Sequence, residues 1–175
     1  THWADSVLAN LSEQERIAQL FMVAAYSNKV TLDNEEISAL IKDYKIGGLM
    51  FLQGSPAKQA KLTNYFQSLS KTPLMIALDA EWGPAMRLDS VMCFPWQMTL
   101  GAIQDDDLIY KMGEQIAKQC KLLGVNINFA PVADINSNPE NPIIGNRSFG
   151  ESPQKVSKFS SAYMQGMQDN GILAC

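Results

Sequence analysis

Short, largely apolar runs alternate along this chain with longer segments of helical period. That alternation restricts the fold more than any other feature. Phe21–Ala25, Leu49–Leu52, Leu74–Leu78, Val125–Ala130 and Ile172–Cys175 each read as a strand of four to six residues. Between them lie segments with helix signals. Ser12 and Glu15 form a capping box that opens a helix running toward Leu20. Thr31 is placed to cap a second helix, with Ile37, Leu40, Ile41 and Tyr44 along one face and Gly47-Gly48 stopping it. Ser55-Pro56 opens a third, lined by Leu62, Phe66 and Leu69. A fourth begins near Asp106, buries Ile109, Met112, Ile116, Cys120 and Leu123, and ends at Gly124. A fifth follows Ser152-Pro153, with Val156, Phe159, Tyr163 and Met167 on its face, and ends at Gly171. Strands apolar on both faces must be covered on both, which predicts a parallel sheet sheathed by helices.

Two architectures meet that description, a doubly wound open sheet and a (β/α)8 barrel. The first suits 175 residues; the second typically needs about 250. Neither a G-x-G-x-x-G turn nor a P-loop follows the first strand. The chain also stops on an apolar run with no helix after it, which predicts the front part of a longer fold. It starts at Thr1, as after removal of a leader or trimming.

Charge and composition exclude several functions. The net charge is −4, the pI is about 4.9, and the basic residues are scattered, so no nucleic-acid surface is expected. No apolar run reaches the roughly 20 residues of a membrane helix. Three cysteines without CxxC spacing argue against a disulfide scaffold and a cysteine zinc site. The single histidine, His2, reads as an exposed terminal residue, which leaves no histidine-based nucleophile machinery in these 175 residues. No metal and no organic cofactor are expected.

In either architecture ligands bind at the C-terminal ends of the strands, where two long loops leave the sheet. The first holds Asp79, Glu81, Trp82, Gly83 and Arg87. Asp79 and Glu81 share a face if the strand persists that far. A carboxylate there accepts hydrogen bonds from neighbouring sugar hydroxyls; Arg87 fixes the carboxylates or a ligand oxygen, or else forms a buried pair that only shapes the loop. Trp82 is a stacking platform or a plug against the core. The second loop, Pro131 to Gly150, ends in Arg147-Ser-Phe-Gly. Arg147 holds a ligand or ties the loop to Asp134 or Glu151, and Asp134 contacts a ligand or, as the favoured reading, clamps Arg147.

At these loops the sequence resembles the N-terminal catalytic domain of glycoside hydrolase family 3, in its bacterial β-N-acetylglucosaminidase branch. Five segments match in order: Leu11–Leu20, Ile46–Phe51, the sugar-binding D-x-E-x-G-x-x-x-R motif at Asp79, Glu81, Gly83 and Arg87, Asn128–Asp134, and Arg147–Glu151. Ala80 and Trp82 depart from the usual motif, which has Gln or Glu at the first position and often Gly at the second. The resemblance implies that residues 1–175 are a partial catalytic barrel domain, the front portion of a (β/α)8 barrel with about four β/α units and the start of a fifth strand. It implies retaining hydrolysis of terminal β-linked N-acetylglucosamine, peptidoglycan-derived in nature, with Asp79, Arg87 and Arg147 gripping the sugar and Glu81 and Asp134 in support. The family's substrate-binding Lys and His, its His-Asp acid/base pair and its Asp nucleophile follow the fifth strand, so no catalytic residue is expected among these residues, and the 175-residue form is expected to lack turnover. The alternatives are a non-catalytic sugar-binding or scaffold module and another family specificity such as β-glucosidase. A removed leader and such a substrate point to the bacterial periplasm. Open sheet edges predict self-association of this chain on its own.

Overall fold

The computed structural model describes residues 2–28 and 31–175. Its elements run α1 (His2–Ala9), α2 (Glu13–Ala18), β1 (Met22–Tyr26), α3 (Thr31–Ala39), β2 (Gly48–Gln53), α4 (Pro56–Leu69), β3 (Met75–Leu78), α5 (Gln97–Leu100), α6 (Asp106–Leu122), β4 (Ile127–Asn128), α7 (Pro153–Gln168) and β5 (Leu173–Ala174). The five strands form one sheet in the order β1-β2-β3-β4-β5, and every pair is parallel. A doubly wound sheet reverses its strand order at a switch point. Here each strand lies beside its predecessor, and right-handed crossovers then place the connecting helices on one face. This is the order of the first five strands of a (β/α)8 barrel, which decides between the two architectures.

The core follows the predicted faces. Ile109, Met112, Ile116, Cys120 and Leu123 on and just after α6 are buried, as are Val156, Phe159, Tyr163 and Met167 on α7. These two helices meet at backbone contact. A Cβ at Gly166 would lie 2.1 Å from the Tyr110 carbonyl oxygen, and one at Gly113 would lie 2.5 Å from that of Tyr163. Only glycine permits that approach.

Several local expectations change. An additional helix, α1, precedes the capping box; it buries no residue, so no periodic apolar face announced it. The capping box itself is formed, Ser12 accepting from the Glu15 amide and Glu15 accepting from that of Ser12. Helix α3 begins at Thr31, whose side chain lies outside the described residues. It continues as a π-helical turn, Leu40–Tyr44. That wider turn breaks the 3.6 period, so Ile37 and Ile41 are buried while Tyr44 is 64% exposed. The turn ends at Lys45 in the left-handed region (φ 59), before Gly47. Gly47 serves a close crossing instead, since a Cβ there would lie 1.8 Å from the Gln19 carbonyl oxygen. Ser55 makes no capping hydrogen bond with its side chain. The fourth strand shrinks from six predicted residues to Ile127–Asn128, because the chain leaves the sheet toward Pro131.

Candidate functional site

Strand β3 ends at Leu78, and its carbonyl accepts from the Phe129 amide at 2.9 Å. Beyond that point the chain turns back on itself. Gly83 takes a positive φ (88°), which favours glycine, and a single 3-10 turn, Pro84–Met86, returns Arg87 over Asp79. Arg87 donates from Nε to the Asp79 carbonyl at 2.9 Å and from Nη2 to the Asp79 carboxylate. The return is anchored on the loop after β2: Gly54 N donates to the Arg87 carbonyl at 3.3 Å, and Asp89 N to the Gly54 carbonyl at 2.9 Å. Asp79 and Arg87 each keep about a quarter of their side chain in contact with solvent. Among the described residues, Oδ1 of Asp79 and Nη1 of Arg87 have no hydrogen-bond partner.

Glu81 is buried, at 1% exposure, and Arg147 covers it. Arg147 Nε lies 3.0 Å from both carboxylate oxygens, Nη2 donates to Oε1 at 2.8 Å, and Nη1 donates to the Ile143 carbonyl at 3.2 Å. The Glu81 hydrogen bond raises the Arg147 pKa; burial opposes it, and the charges of Glu81, Asp79 and Asp134 add to it. One guanidinium thus feels all three acids at this end of the sheet.

This geometry corrects three expectations. Arg147 binds neither Asp134 nor Glu151 but Glu81, 66 positions away. Asp134 does not clamp it; the carboxylate is exposed, and its residue contributes a carbonyl that accepts from Ser148 Oγ at 2.6 Å. The physical reason is burial: a carboxylate out of water needs a forked donor, whereas exposed acids close in sequence do not. Asp79 and Glu81 do not share a face, because the strand stops before them and each takes its own arginine. Trp82 is half-buried. It stacks on Trp96, with centroids 4.5 Å apart and planes 9° from parallel.

Three further residues hold the loop and were not singled out as site residues. Gln97 Nε2 donates to the Glu81 carbonyl at 2.6 Å. Asn128 and Tyr163 both bind the peptide groups of Ala80. The signal for Asn128 was present: an amide inside an apolar strand, where a buried polar group needs partners. Tyr163 carried none, since a tyrosine on an apolar helix face reads as core.

A cleft of about 340 Å³, lined by residues including Trp3, Asn10, Lys45 and Lys71, opens at the other end of the sheet and holds none of these pairs. Among the described residues, no cluster of three or more His, Cys, Asp or Glu could hold a metal, and no helix is long and apolar enough to cross a membrane.

Comparison with known proteins gives the geometry a family. The Pseudoalteromonas piscicida protein Beta-hexosaminidase A is 38% identical over 152 residues, which cover 79% of this chain and 25% of that protein. A family 3 β-N-acetylglucosaminidase structure from Paenibacillus sp. str. FPU-7 superposes with a TM-score of 0.84 at 34% identity, over 94% of this chain and 32% of that one. The β-glucoside phosphorylase BglX bound to 2FGlc superposes with a TM-score of 0.91 at 27% identity, over 99% of this chain and 31% of that one. The chain spans 25% of the length of Beta-hexosaminidase A and 42% of that of a second curated relative, Beta-hexosaminidase LpqI of Mycobacterium tuberculosis, which is 29% identical over 94% of this chain. Residues 12–175 match the family model described as the glycosyl hydrolase family 3 N-terminal domain, and the chain belongs to that family.

Proposed function

We propose that the protein carrying this chain is a retaining β-N-acetylglucosaminidase acting on terminal β-linked N-acetylglucosamine, in nature from peptidoglycan-derived fragments. In this reading Asp79, Arg87 and Arg147 hold the nonreducing sugar, with Glu81 and Asp134 in support. The observation behind it is the Asp79–Arg87 pair at the C-terminal end of a parallel sheet. Among the described residues, one carboxylate oxygen and one guanidinium nitrogen of the pair remain unpartnered, an acceptor and a donor that suit neighbouring hydroxyls. Glu81 keeps Arg147 oriented, and Asp134 adds negative charge from the rim.

These residues bind; they do not transfer protons or attack. Arg147 donors occupy both Glu81 oxygens, and Asp79 is tied to Arg87. Their contribution is to hydroxyl contacts that strengthen as the ring approaches an oxocarbenium-like transition state. The names of the relatives favour a glycosidase domain over a separate sugar-binding module. A second reading, action on β-glucosides, is favoured by the superposition on BglX.

A chromogenic assay of the full-length protein separates them. We expect turnover of the β-N-acetylglucosaminide over the β-glucoside, and loss of kcat/KM by about 10²-fold or more in Asp79→Ala. Faster turnover of the β-glucoside would install the second reading; turnover of neither would overturn both. The proposal extends to self-association of the 175-residue chain alone, supported by exposed Ile17, Phe21 and Tyr44 beside the edge strand β1 and exposed Leu173 on β5. A monomeric mass by light scattering at about 50 µM, within a concentration range common for such aggregation, would refute that part.

A further inference from the structure

Strands β3 and β4 part company just where the sugar-binding proposal needs rigidity. Ala80 sits between Asp79 and Glu81, past the end of β3, and is fully buried. Its C=O accepts from the Gly83 amide at 3.1 Å within the turn, but its N–H has no strand backbone opposite it, and a buried peptide group left unpaired is costly. The Asn128 side chain supplies the missing partner. Its Oδ1 accepts from Ala80 N at 2.9 Å, and its Nδ2 donates to Ala80 O at 3.2 Å. A primary amide has the same donor and acceptor pair as a peptide, so it completes the ladder for one more residue. Asn128 is itself fully buried.

A second group closes the arrangement. Tyr163, from α7, donates its hydroxyl to Ala80 O at 3.1 Å and accepts from Asn128 Nδ2 at 3.1 Å. Burial raises its pKa, so the phenol stays protonated and remains a donor. Ala80 is therefore held at both peptide groups by side chains from two other elements. On one side of this clamp stands the carboxylate paired with Arg87, on the other the carboxylate paired with Arg147.

We infer that Asn128 is a positioning residue: by clamping the Ala80 peptide it sets the directions of Asp79 and Glu81, and through them of Arg87 and Arg147. This rests on the proposed sugar-binding role of those residues. Displacements of about 1 Å in a positioned group lower rates by about 10²-fold. Losing the Asn128 contacts releases the Ala80 N–H, leaves its C=O to Gly83 N and Tyr163 alone, and lets both pairs move together.

The test uses the full-length protein with Asn128→Ala, Asn128→Asp and Tyr163→Phe, and Phe66→Leu as a stability control in the α4 core. Each is measured below its melting temperature. One readout is kcat/KM on the β-N-acetylglucosaminide. The other is the Nε–H resonances of Arg87 and Arg147 under arginine-selective nitrogen-15 labelling. We expect Asn128→Ala to lower kcat/KM by about 10–100-fold and to shift or broaden both arginine signals, with Tyr163→Phe milder in both. Phe66→Leu should do neither at a comparable fall in Tm. If Asn128→Ala does not fold, Asn128→Asp, which keeps the acceptor and loses the donor, and Tyr163→Phe are read by the same criteria. Unchanged arginine signals in the Asn128 variants, or an equal change in Phe66→Leu, would overturn the inference. A parent protein without turnover would sink the activity reading alone, because the arginine signals decide the positioning role independently.

Discussion

Replacing Gly166 by alanine should destabilise the domain, although helix propensity predicts the opposite. In a helix interior, glycine to alanine is worth roughly 1 kcal/mol of stabilisation. At Gly166 the new methyl group would lie 2.1 Å from the Tyr110 carbonyl oxygen and 3.0 Å from the Glu114 nitrogen. Both are backbone atoms, so no rotamer change relieves the overlap. Ordinary contact begins at about 3.4 Å, so α6 and α7 must separate by about 1.3 Å. A gap of that size forfeits a quarter to a half or more of each dispersion contact across the seam between Ile109, Met112 and Ile116 on one side and Phe159, Tyr163 and Met167 on the other. Overpacking of this kind costs about 1–3 kcal/mol, and the loosened seam adds to it. The net expectation is a loss of about 1–3 kcal/mol after the propensity gain, or a Tm lower by roughly 3–10 °C. Urea unfolding of Gly166→Ala beside Ser161→Ala, an exposed site on the same helix, isolates the packing effect. Equal or higher stability of Gly166→Ala would refute the claim that the two backbones touch.

Three other outcomes follow from the pairs and thiols. Arg147→Met should leave the Glu81 carboxylate buried and unpaired, costing about 3 kcal/mol, the lower end of the range because Arg147 is one-third exposed; denaturant melts should show Glu81→Leu/Arg147→Met recovering most of it. The Lys45 ammonium beside Glu15 lowers that carboxyl from 4.5 to about 2, so its share of stability is complete above pH 4.5 and is lost as pH falls toward 2; a carboxyl titration by NMR that finds an ordinary midpoint would remove the effect. Burial pushes the Cys120 thiol up to about 12, so a thiol reagent at pH 8 should label Cys93 and Cys175 in the native chain and all three only after unfolding. Rapid native labelling of Cys120 would contradict its burial.

The elements legible in the sequence were those whose burial follows a simple period. The faces of α6 and α7 match residue for residue, because long helices with one apolar stripe have a single way to pack. The π-turn at Leu40–Tyr44 was hidden, because sequence period does not show an inserted backbone turn. At the site, Asp79, Arg87 and Arg147 stood out by residue type and motif. The partner of Arg147 did not, since Glu81 and Asp134 look alike in sequence and differ only in burial. Asn128 was visible as an intruder in an apolar strand, but its target, a peptide 48 positions earlier, exists only once the sheet has formed.

The strictly sequential strand order has a consequence for synthesis. Each new strand pairs with the one made just before it, so the sheet grows at a single edge and units can pack in the order they leave the ribosome. The bond between Glu81 and Arg147 runs against that order: it waits for 66 more residues. Until the loop after β4 arrives, a nascent chain holds the Glu81 carboxyl uncovered at the growing edge, and water there is its natural partner. The end of the sheet that carries Asp79 and Glu81 therefore sets after β3 and β4 beneath it, once the loop that brings Arg147 has arrived.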